Sequence, residues 1–282
     1  MPEMRTLLHL SDLHFGRVDK TLIEPLIAFA RKLEPDVVVV SGDLTQRART
    51  WQFVDARRFL DSLPQPQIVV PGNHDVPLHD VFSRFLRPRR KFHRYITNDP
   101  APEYVDDEIG VLGVDTTRSL TIKNGRINER QIERMRARFR AMASPLVKIV
   151  VSHHPFDLPD PYGADDLVGR APLAMKIFAS CGVDLLLAGH LHVSYAGNTA
   201  AHYRIDDYAA LVVQAGTATS TRARGESNSF NVIRVGAPCI EVERFAWQPE
   251  ARTFMPAAPE RFGRGSHGWR RLDASDSESR PW

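Results

Sequence analysis

The sequence predicts an α/β fold, with strands buried on both faces and alternating with helices in a largely parallel sheet. Three observations carry this prediction. Short Val-, Ile- and Leu-rich runs recur and end abruptly in Gly, Asp, Asn or His clusters. Apolar residues at three- and four-residue steps fill several of the gaps between those runs. The composition over 282 residues is 43% hydrophobic, 25% charged and 9% aromatic, which excludes disordered, collagen-like and coiled-coil classes.

Taken in order, the run 6–10 closes on Ser11-Asp12-Leu13-His14. Leu22, Leu26, Phe29, Ala30 and Leu33 then mark a helix that stops at Pro35. The run 37–40 closes on Ser41-Gly42-Asp43, and Phe53, Ala56, Phe59, Leu60 and Leu63 mark a second helix before Pro64. The run 68–70 closes on Pro71-Gly72-Asn73-His74-Asp75. Ile132, Met135, Phe139 and Met142 mark a third helix, with Arg134, Arg136, Arg138 and Arg140 elsewhere on its surface. The run 148–151 closes on Ser152-His153-His154-Pro155, and 185–188 on Gly189-His190-Leu191-His192. Near-continuous hydrophobicity in all five runs reads as strands covered on both faces.

Residues 193–245 change character. The segments 203–205, 210–214, 230–235 and 240–245 read as shorter strands, an antiparallel run extending a second sheet. From Ala257 onward there is little to bury, so the expectation is a domain over 1–256 and a poorly ordered tail over 257–282. Two cysteines, Cys181 and Cys239, are too few for a disulfide framework. No apolar run approaches the roughly 18 residues of a membrane span, and the N-terminus meets a carboxylate before any signal-peptide core could form. The expectation is a cytoplasmic protein with no membrane partner. A surplus of 37 Lys+Arg over 34 Asp+Glu, +3, permits an anionic substrate and demands none.

In open α/β sheets ligands bind beyond the carboxyl ends of the strands, so the five clusters should converge. They bring Asp12, His14, Asp43, Asn73, His153, His190 and His192, seven oxygen and nitrogen donors. That is more than one ion needs and suits two, about 3.5–4 Å apart and bridged by a carboxylate. The i, i+2 spacing of Asp12 with His14 and of His190 with His192 would, in extended backbone, aim both side chains the same way. Carboxylate, amide and imidazole without thiolate favour Mn, Fe or Zn over a cysteine-type structural zinc. Of the adjacent His153 and His154, only one can point inward as a ligand. His9, inside a strand, reads as structural, and His79, His93, His202 and His267 carry no motif.

The ordered series Asp12-Leu13-His14, Gly42-Asp43, Gly72-Asn73-His74-Asp75, His153 and Gly189-His190-Leu191-His192 resembles the calcineurin-like metallophosphoesterases, over residues 5 to about 245. The resemblance implies a four-layer α/β/β/α sandwich of two mixed sheets with a binuclear metal site at the strand carboxyl ends. It implies one metal on Asp12, His14, Asp43 and His192, and a second on Asp43, Asn73, His153 and His190, with His153 as the ligand of its pair. Asn73 and His74 would contact the phosphate, His74 would serve the leaving group with Asp75 orienting it, and His154 would face substrate. A bridging hydroxide would attack phosphorus in line, with no covalent intermediate.

Departures from other branches narrow the resemblance. Asp43 is followed by Leu44-Thr45-Gln46, unlike protein Ser/Thr phosphatases, and Gln46 stands where purple acid phosphatases carry Tyr. His74 replaces the Arg usual in lipid A precursor hydrolases. What remains resembles the bacterial cyclic-nucleotide and glycerophosphodiester phosphodiesterases, as do Asp115-Thr116-Thr117-Arg118, Gly125-Arg126-Ile127, Gly216-Thr217-Ala218-Thr219 and Asn231. The implied partner is a small phosphodiester. Three alternatives stand beside it: a nuclease using Arg84, Arg87, Arg89, Arg90, Lys91 and Arg94 as a DNA footprint, a phosphomonoesterase, and a non-catalytic scaffold.

Overall fold

A computed structural model describes residues 4–78, 80–121, 123–142, 145–158, 162–163, 166–222 and 225–272. Two mixed sheets stack face to face with helices on both outer sides, the four-layer arrangement expected. In the first sheet, β1 (Arg5–Leu10), β2 (Val37–Val40) and β3 (Gln67–Val69) run parallel. Antiparallel to β1 follow β10 (Ser229–Val235) and then β11 (Cys239–Gln248). β11 in turn pairs with β12 (Thr253–Pro256) and β13 (Glu260–Gly265), which pairs with β14 (Gly268–Arg271). The second sheet has order β4 (Glu103–Val105), β5 (Ile109–Gly113), β6 (Val147–Val151), β7 (Leu185–Ala188), β9 (Leu211–Gln214) and β8 (Tyr195–Asn198). Its four central strands are parallel.

The period-2 geometry of a strand explains why four consecutive valines suit β2. Val38 and Val40 face outward with Leu8 and Leu10, under α1 (Ile23–Leu33) and α2 (Thr50–Ser62), where Leu26, Phe53 and Phe59 cover them. Val37 and Val39 face inward with Leu7, against Ile149, Leu185 and Val213 of the other sheet. On the far side Val150, Leu186 and Val212 pack under α5 (Glu129–Ala141) and α6 (Ala171–Cys181). Helix limits follow local chemistry. The Asn128 side chain accepts from Gln131 N (2.8 Å) while Gln131 Oε1 accepts from Asn128 N (3.0 Å), a capping box that starts α5. α6 ends at Gly182, whose φ of +66° is left-handed.

Two expectations are corrected. The 193–245 run does not extend one sheet: β9 joins the second, parallel to β7, whereas β10 and β11 join the first. Within it, Tyr203–Ile205 is no strand, because the Tyr203 hydroxyl is drawn to Phe156 O (2.7 Å) and only an isolated Ile205–Tyr208 bridge forms. The expected tail is also structured as far as 272. β13 and β14 form a hairpin whose Phe262 and Trp269 enter the core between the sheets, with Trp269 Nε1 donating to Asp184 Oδ1 (3.0 Å). Residues 273–282 lie outside the described residues. Among those described, no helix is long and apolar enough to cross a membrane.

Candidate metal centre

Each of the five clusters follows a parallel strand, three in the first sheet and two in the second, so all open on one edge of the sandwich. The loops after β1 and β2 run side by side, with Asp12 N, His14 N and Phe15 N donating to Gly42 O, Asp43 O and Leu44 O at 3.1, 2.9 and 2.8 Å. The backbone here is not extended as the i, i+2 reading assumed. Asp12, His14, Asp43, His190 and His192 all have left-handed φ, between 50° and 74°. Such conformations cost about 1–3 kcal/mol each for non-glycine residues and concentrate where surrounding structure enforces them. Gly42 (φ +95°) is required because a Cβ there would lie 2.6 Å from His153 Nδ1. At Gly72 a Cβ would strike the Asp43 carboxylate.

These turns assemble two donor groups around Asp43. In the first, Asp12 Oδ1 lies 3.1 Å from His192 Nε2 and 3.5 Å from His14 Nε2, and the two ring nitrogens are 3.3 Å apart. In the second, Asn73 Oδ1 lies 3.1 Å from His153 Nε2 and 3.2 Å from His190 Nδ1, again with 3.3 Å between the nitrogens. Asp43 stands between them, Oδ2 at 3.7 Å from His14 Nε2 and Oδ1 at 3.5 Å from His153 Nε2. Outer atoms are tied to the protein: Ser11 Oγ and His190 N donate to Asp12 Oδ2 at 2.7 and 3.0 Å, and His153 Nδ1 donates to Ser41 O at 2.8 Å. Asp12 Oδ1, facing the centre, is fully buried without a hydrogen-bond partner. A buried acceptor costs free energy unless paired, and ring nitrogens crowded this closely suit a shared cation.

Electrostatics agree with that reading. Burial disfavours the charge on Asp12, but the neighbouring His192 and His14 outweigh it and hold the carboxyl well below its ordinary range. Burial likewise opposes Asp43, and His153, His74 and His14 bring its carboxyl down. Burial, then His154 and His153, keep His190 well below the usual imidazole value. Ionised carboxylates and neutral imidazoles are the forms that bind divalent metals. The residues present fit such ions.

His74 lies beside this centre, its N–H donating to Asp43 Oδ1 (2.8 Å) and its Nε2 4.0 Å from Asp43 Oδ2. Its ring is not oriented by Asp75. Nδ1 donates to the Gln46 carbonyl (2.9 Å), whereas Asp75 accepts from Gly72 N, Leu44 N, Thr45 N and Thr45 Oγ1 at 2.8–3.1 Å. The one-turn 3₁₀ helix Asn73–Asp75 turns that carboxylate back onto the β2 loop, so Asp75 braces the loop carrying Asp43. His154 is corrected too. Its ring meets Thr116 Oγ1 (2.8 Å) and Lys123 O (2.9 Å), leaving neither nitrogen for substrate.

Three cations were not anticipated. Arg222 Nη1 donates to His74 Nε2 (3.0 Å), and Arg47 and Lys123 line the same pocket, of about 190 Å³. No sequence pattern marks them, since they arrive on three separate loops. Of the six basic residues after the third cluster, Arg84, Arg89 and Lys91 are committed within the fold, whereas Arg87, Arg90 and Arg94 are exposed. Arg84 is buried and donates to Pro77 O, Ser119 O and Thr121 O, Arg89 pairs with Asp115, and Lys91 donates to Ala48 O. His9, His93, His202 and His267 are held by Ser41, Thr97, Asp157 and Asp207, and His79 lies outside the described residues. Asn231 donates to Gln214 O inside the sandwich.

Residues 5–194 match the sequence model of the calcineurin-like phosphoesterases. A glycerophosphodiester phosphodiesterase, GpdQ of Enterobacter lignolyticus strain SCF1, is 26% identical over 200 residues, 62% of this chain and 69% of that protein. Two solved structures share the fold. PhoD superposes with a TM-score of 0.70 at 10% identity, over 97% of this chain and 72% of its own. A dimetal phosphatase from Danio rerio gives 0.64 at 15% identity, over 91% and 99%.

Proposed function

We propose that this chain, which belongs to the calcineurin-like phosphoesterase family and is therefore a hydrolase, cleaves a phosphodiester bond in a small nucleotide-like or glycerol-type substrate. The observation that carries the reading is Asp43 standing between two donor groups, one carboxylate oxygen toward each. Asp12, His14, Asp43 and His192 would hold one divalent ion, and Asp43, Asn73, His153 and His190 the other. Mn, Fe or Zn suits this donor chemistry. Such ions supply hydroxide near neutral pH and neutralise charge on the phosphate oxygens.

The chain's own residues do the rest. The Gln46 carbonyl fixes the His74 ring through Nδ1–H, leaving Nε2, the lone-pair nitrogen that accepts from Arg222, facing the site. Burial first, then His14 and Arg222, lower the His74 pKa against the pull of Asp43. A proton taken up from water at Nε2, once substrate displaces the Arg222 contact, therefore passes readily to a departing alkoxide. Arg222, donating to that nitrogen, is placed to take a phosphate oxygen when substrate displaces the contact. The left-handed turns and the Asp75 brace keep these groups in place before substrate arrives.

The 26% relative, a phosphodiesterase, supports diester over monoester cleavage. The internal engagement of Arg84, Arg89 and Lys91 weighs against the DNA footprint, and the assembled donor set weighs against a scaffold. A cytoplasmic, membrane-free enzyme remains the reading of the sequence. The test is turnover of bis(p-nitrophenyl) phosphate, glycerophosphodiesters, cyclic nucleotides and p-nitrophenyl phosphate by chelated protein before and after addition of Mn²⁺. Metal-dependent cleavage favouring diesters is expected. No diester cleavage with any metal, or faster monoester cleavage, would overturn the reading.

A further inference from the structure

The pocket beside the metal centre has a charge balance that a simple diester leaves unmatched. Arg47, Lys123 and Arg222 line it, Lys123 being paired with Asp166 outside the lining, and among the described lining residues Asp43 is the one carboxylate. Asp43 is already committed to the metal centre. Two divalent ions held by Asp12 and Asp43 would make the site more positive still, while a diester brings a single negative charge.

The three cations are not equivalent. Arg222, 3.0 Å from His74 Nε2, is the cation that would take the scissile phosphate under the reading above. Arg47 lies at the other edge of the same ring, Nη1 3.4 Å from Nδ1. Both of those atoms carry hydrogens, because Nδ1 donates to Gln46 O, so this is a contact without a bond. Arg47 Nη1 otherwise meets only the Gln46 carbonyl, at 3.5 Å, and among the described residues Arg47 has no carboxylate within ion-pair reach. Lys123 projects from the loop between β5 and α5, its ammonium tethered to Asp166 at 2.5 Å and more than half exposed. Arg47 thus sits one imidazole width beyond Arg222, outward from the metal centre, with Lys123 also on the pocket wall.

Resting on the phosphodiesterase reading, we propose that the substrate carries a second anionic group, a phosphate on the same sugar or glycerol unit, bound by Arg47 with Lys123. A guanidinium without a carboxylate, facing a pocket, suits the oxygens of a phosphate, which it can grip with two parallel N–H donors. The second charge would discriminate among diesters that are identical at the scissile bond.

The probe pair is thymidine 5′-(p-nitrophenyl phosphate) with and without a 3′-phosphate. Both release the same nitrophenolate from the same diester, so only the added phosphate differs. In the Mn²⁺-loaded protein kcat/KM should be roughly 10–100-fold higher for the 3′-phosphorylated probe, the range for one charge-assisted bond, with the change chiefly in KM. Arg47→Gln should bring the ratio close to one, Lys123→Gln should lower it several-fold, and Arg140→Gln on the exposed face of α5 should leave it unchanged. Equal rates in the parent protein would overturn the proposal while leaving the phosphodiesterase reading intact. A ratio preserved in both variants would remove these residues from it. If neither probe is cleaved, the phosphodiesterase reading fails, and calorimetry with thymidine 3′,5′-bisphosphate and thymidine 5′-monophosphate still decides. Tighter bisphosphate binding that Arg47→Gln abolishes supports the subsite, and equal binding refutes it.

Discussion

Gly42→Ala tests the metal centre without touching a ligand. An added Cβ would lie 2.6 Å from His153 Nδ1, so restoring ordinary contact at 3.4 Å requires the ring to retreat by about 0.8 Å. Metal–ligand distances tolerate only about 0.2 Å, so the second donor group should lose its ion. Three costs to stability combine. The Nδ1 bond to Ser41 O, 2.8 Å long, is lost at about 1 kcal/mol. An L-residue held at the φ of +95° costs roughly 1–2 kcal/mol. Overpacking adds about 1–3 kcal/mol. At roughly 2–4 °C per kcal/mol for a chain of this size, Tm should fall by on the order of 10 °C. Gly182→Ala is the control. Its φ is +66° but no atom lies within 4 Å of the added Cβ, so only the backbone cost of about 1 kcal/mol applies. Thermal unfolding of metal-free protein and Mn²⁺ titration of both variants are the assays. If Gly42→Ala melts like Gly182→Ala and binds metal like the parent, the contact with His153 does not support the site.

His74→Ala should retain bound metal but slow cleavage by roughly 10²–10⁴-fold on an alkyl diester, and much less on bis(p-nitrophenyl) phosphate, whose leaving group needs no proton. Equal losses on both substrates would assign His74 to phosphate binding alone. Trp269→Ala should cost about 3–5 kcal/mol by chemical denaturation, because Trp269 fills the core between the sheets. A loss under about 1 kcal/mol would return the hairpin to a dispensable tail. His9 is fully buried, and burial lowers its pKa to about 3, against about 6.5 in the unfolded chain. Between those values the unfolded state binds the extra proton, so stability is lost as pH falls below about 6.5, by about 2 kcal/mol at pH near 5. His9→Gln should lose correspondingly less between pH near 7 and near 5. Identical pH profiles for the two proteins would contradict this.

Where the chain repeats a local rule, the fold could be read from it. The five runs could be placed because β-branched residues end in turn-forming residues, and β1, β2, β3, β6 and β7 are those runs to within a residue or two. The β13–β14 hairpin escaped because Phe262 and Trp269 stand alone among glycines and arginines, so burial is decided by cross-strand neighbours rather than by any window of sequence. Within the site, ligand types and their convergence could be read, but second contacts could not. Adjacency suggests that Asp75 serves His74, yet the 3₁₀ turn sends it to Leu44 and Thr45. His153 and His154 are chemically equal in the chain and separated only by where β6 delivers them. The i, i+2 pairs converge through left-handed turns, a conformation uncommon enough for residues other than glycine that no local pattern announces it. Arg47, Lys123 and Arg222 meet through three loops that share no local signal.

Metal stoichiometry of Asp43→Ala beside the parent, measured after chelation and reloading with Mn²⁺, is the most direct test of the central claim. With one oxygen of Asp43 toward each donor group, the parent should bind two ions per chain, and the variant should lose both ions together with turnover of bis(p-nitrophenyl) phosphate. A parent that binds a single ion, or a variant that keeps two at full occupancy, would contradict a binuclear centre bridged by Asp43.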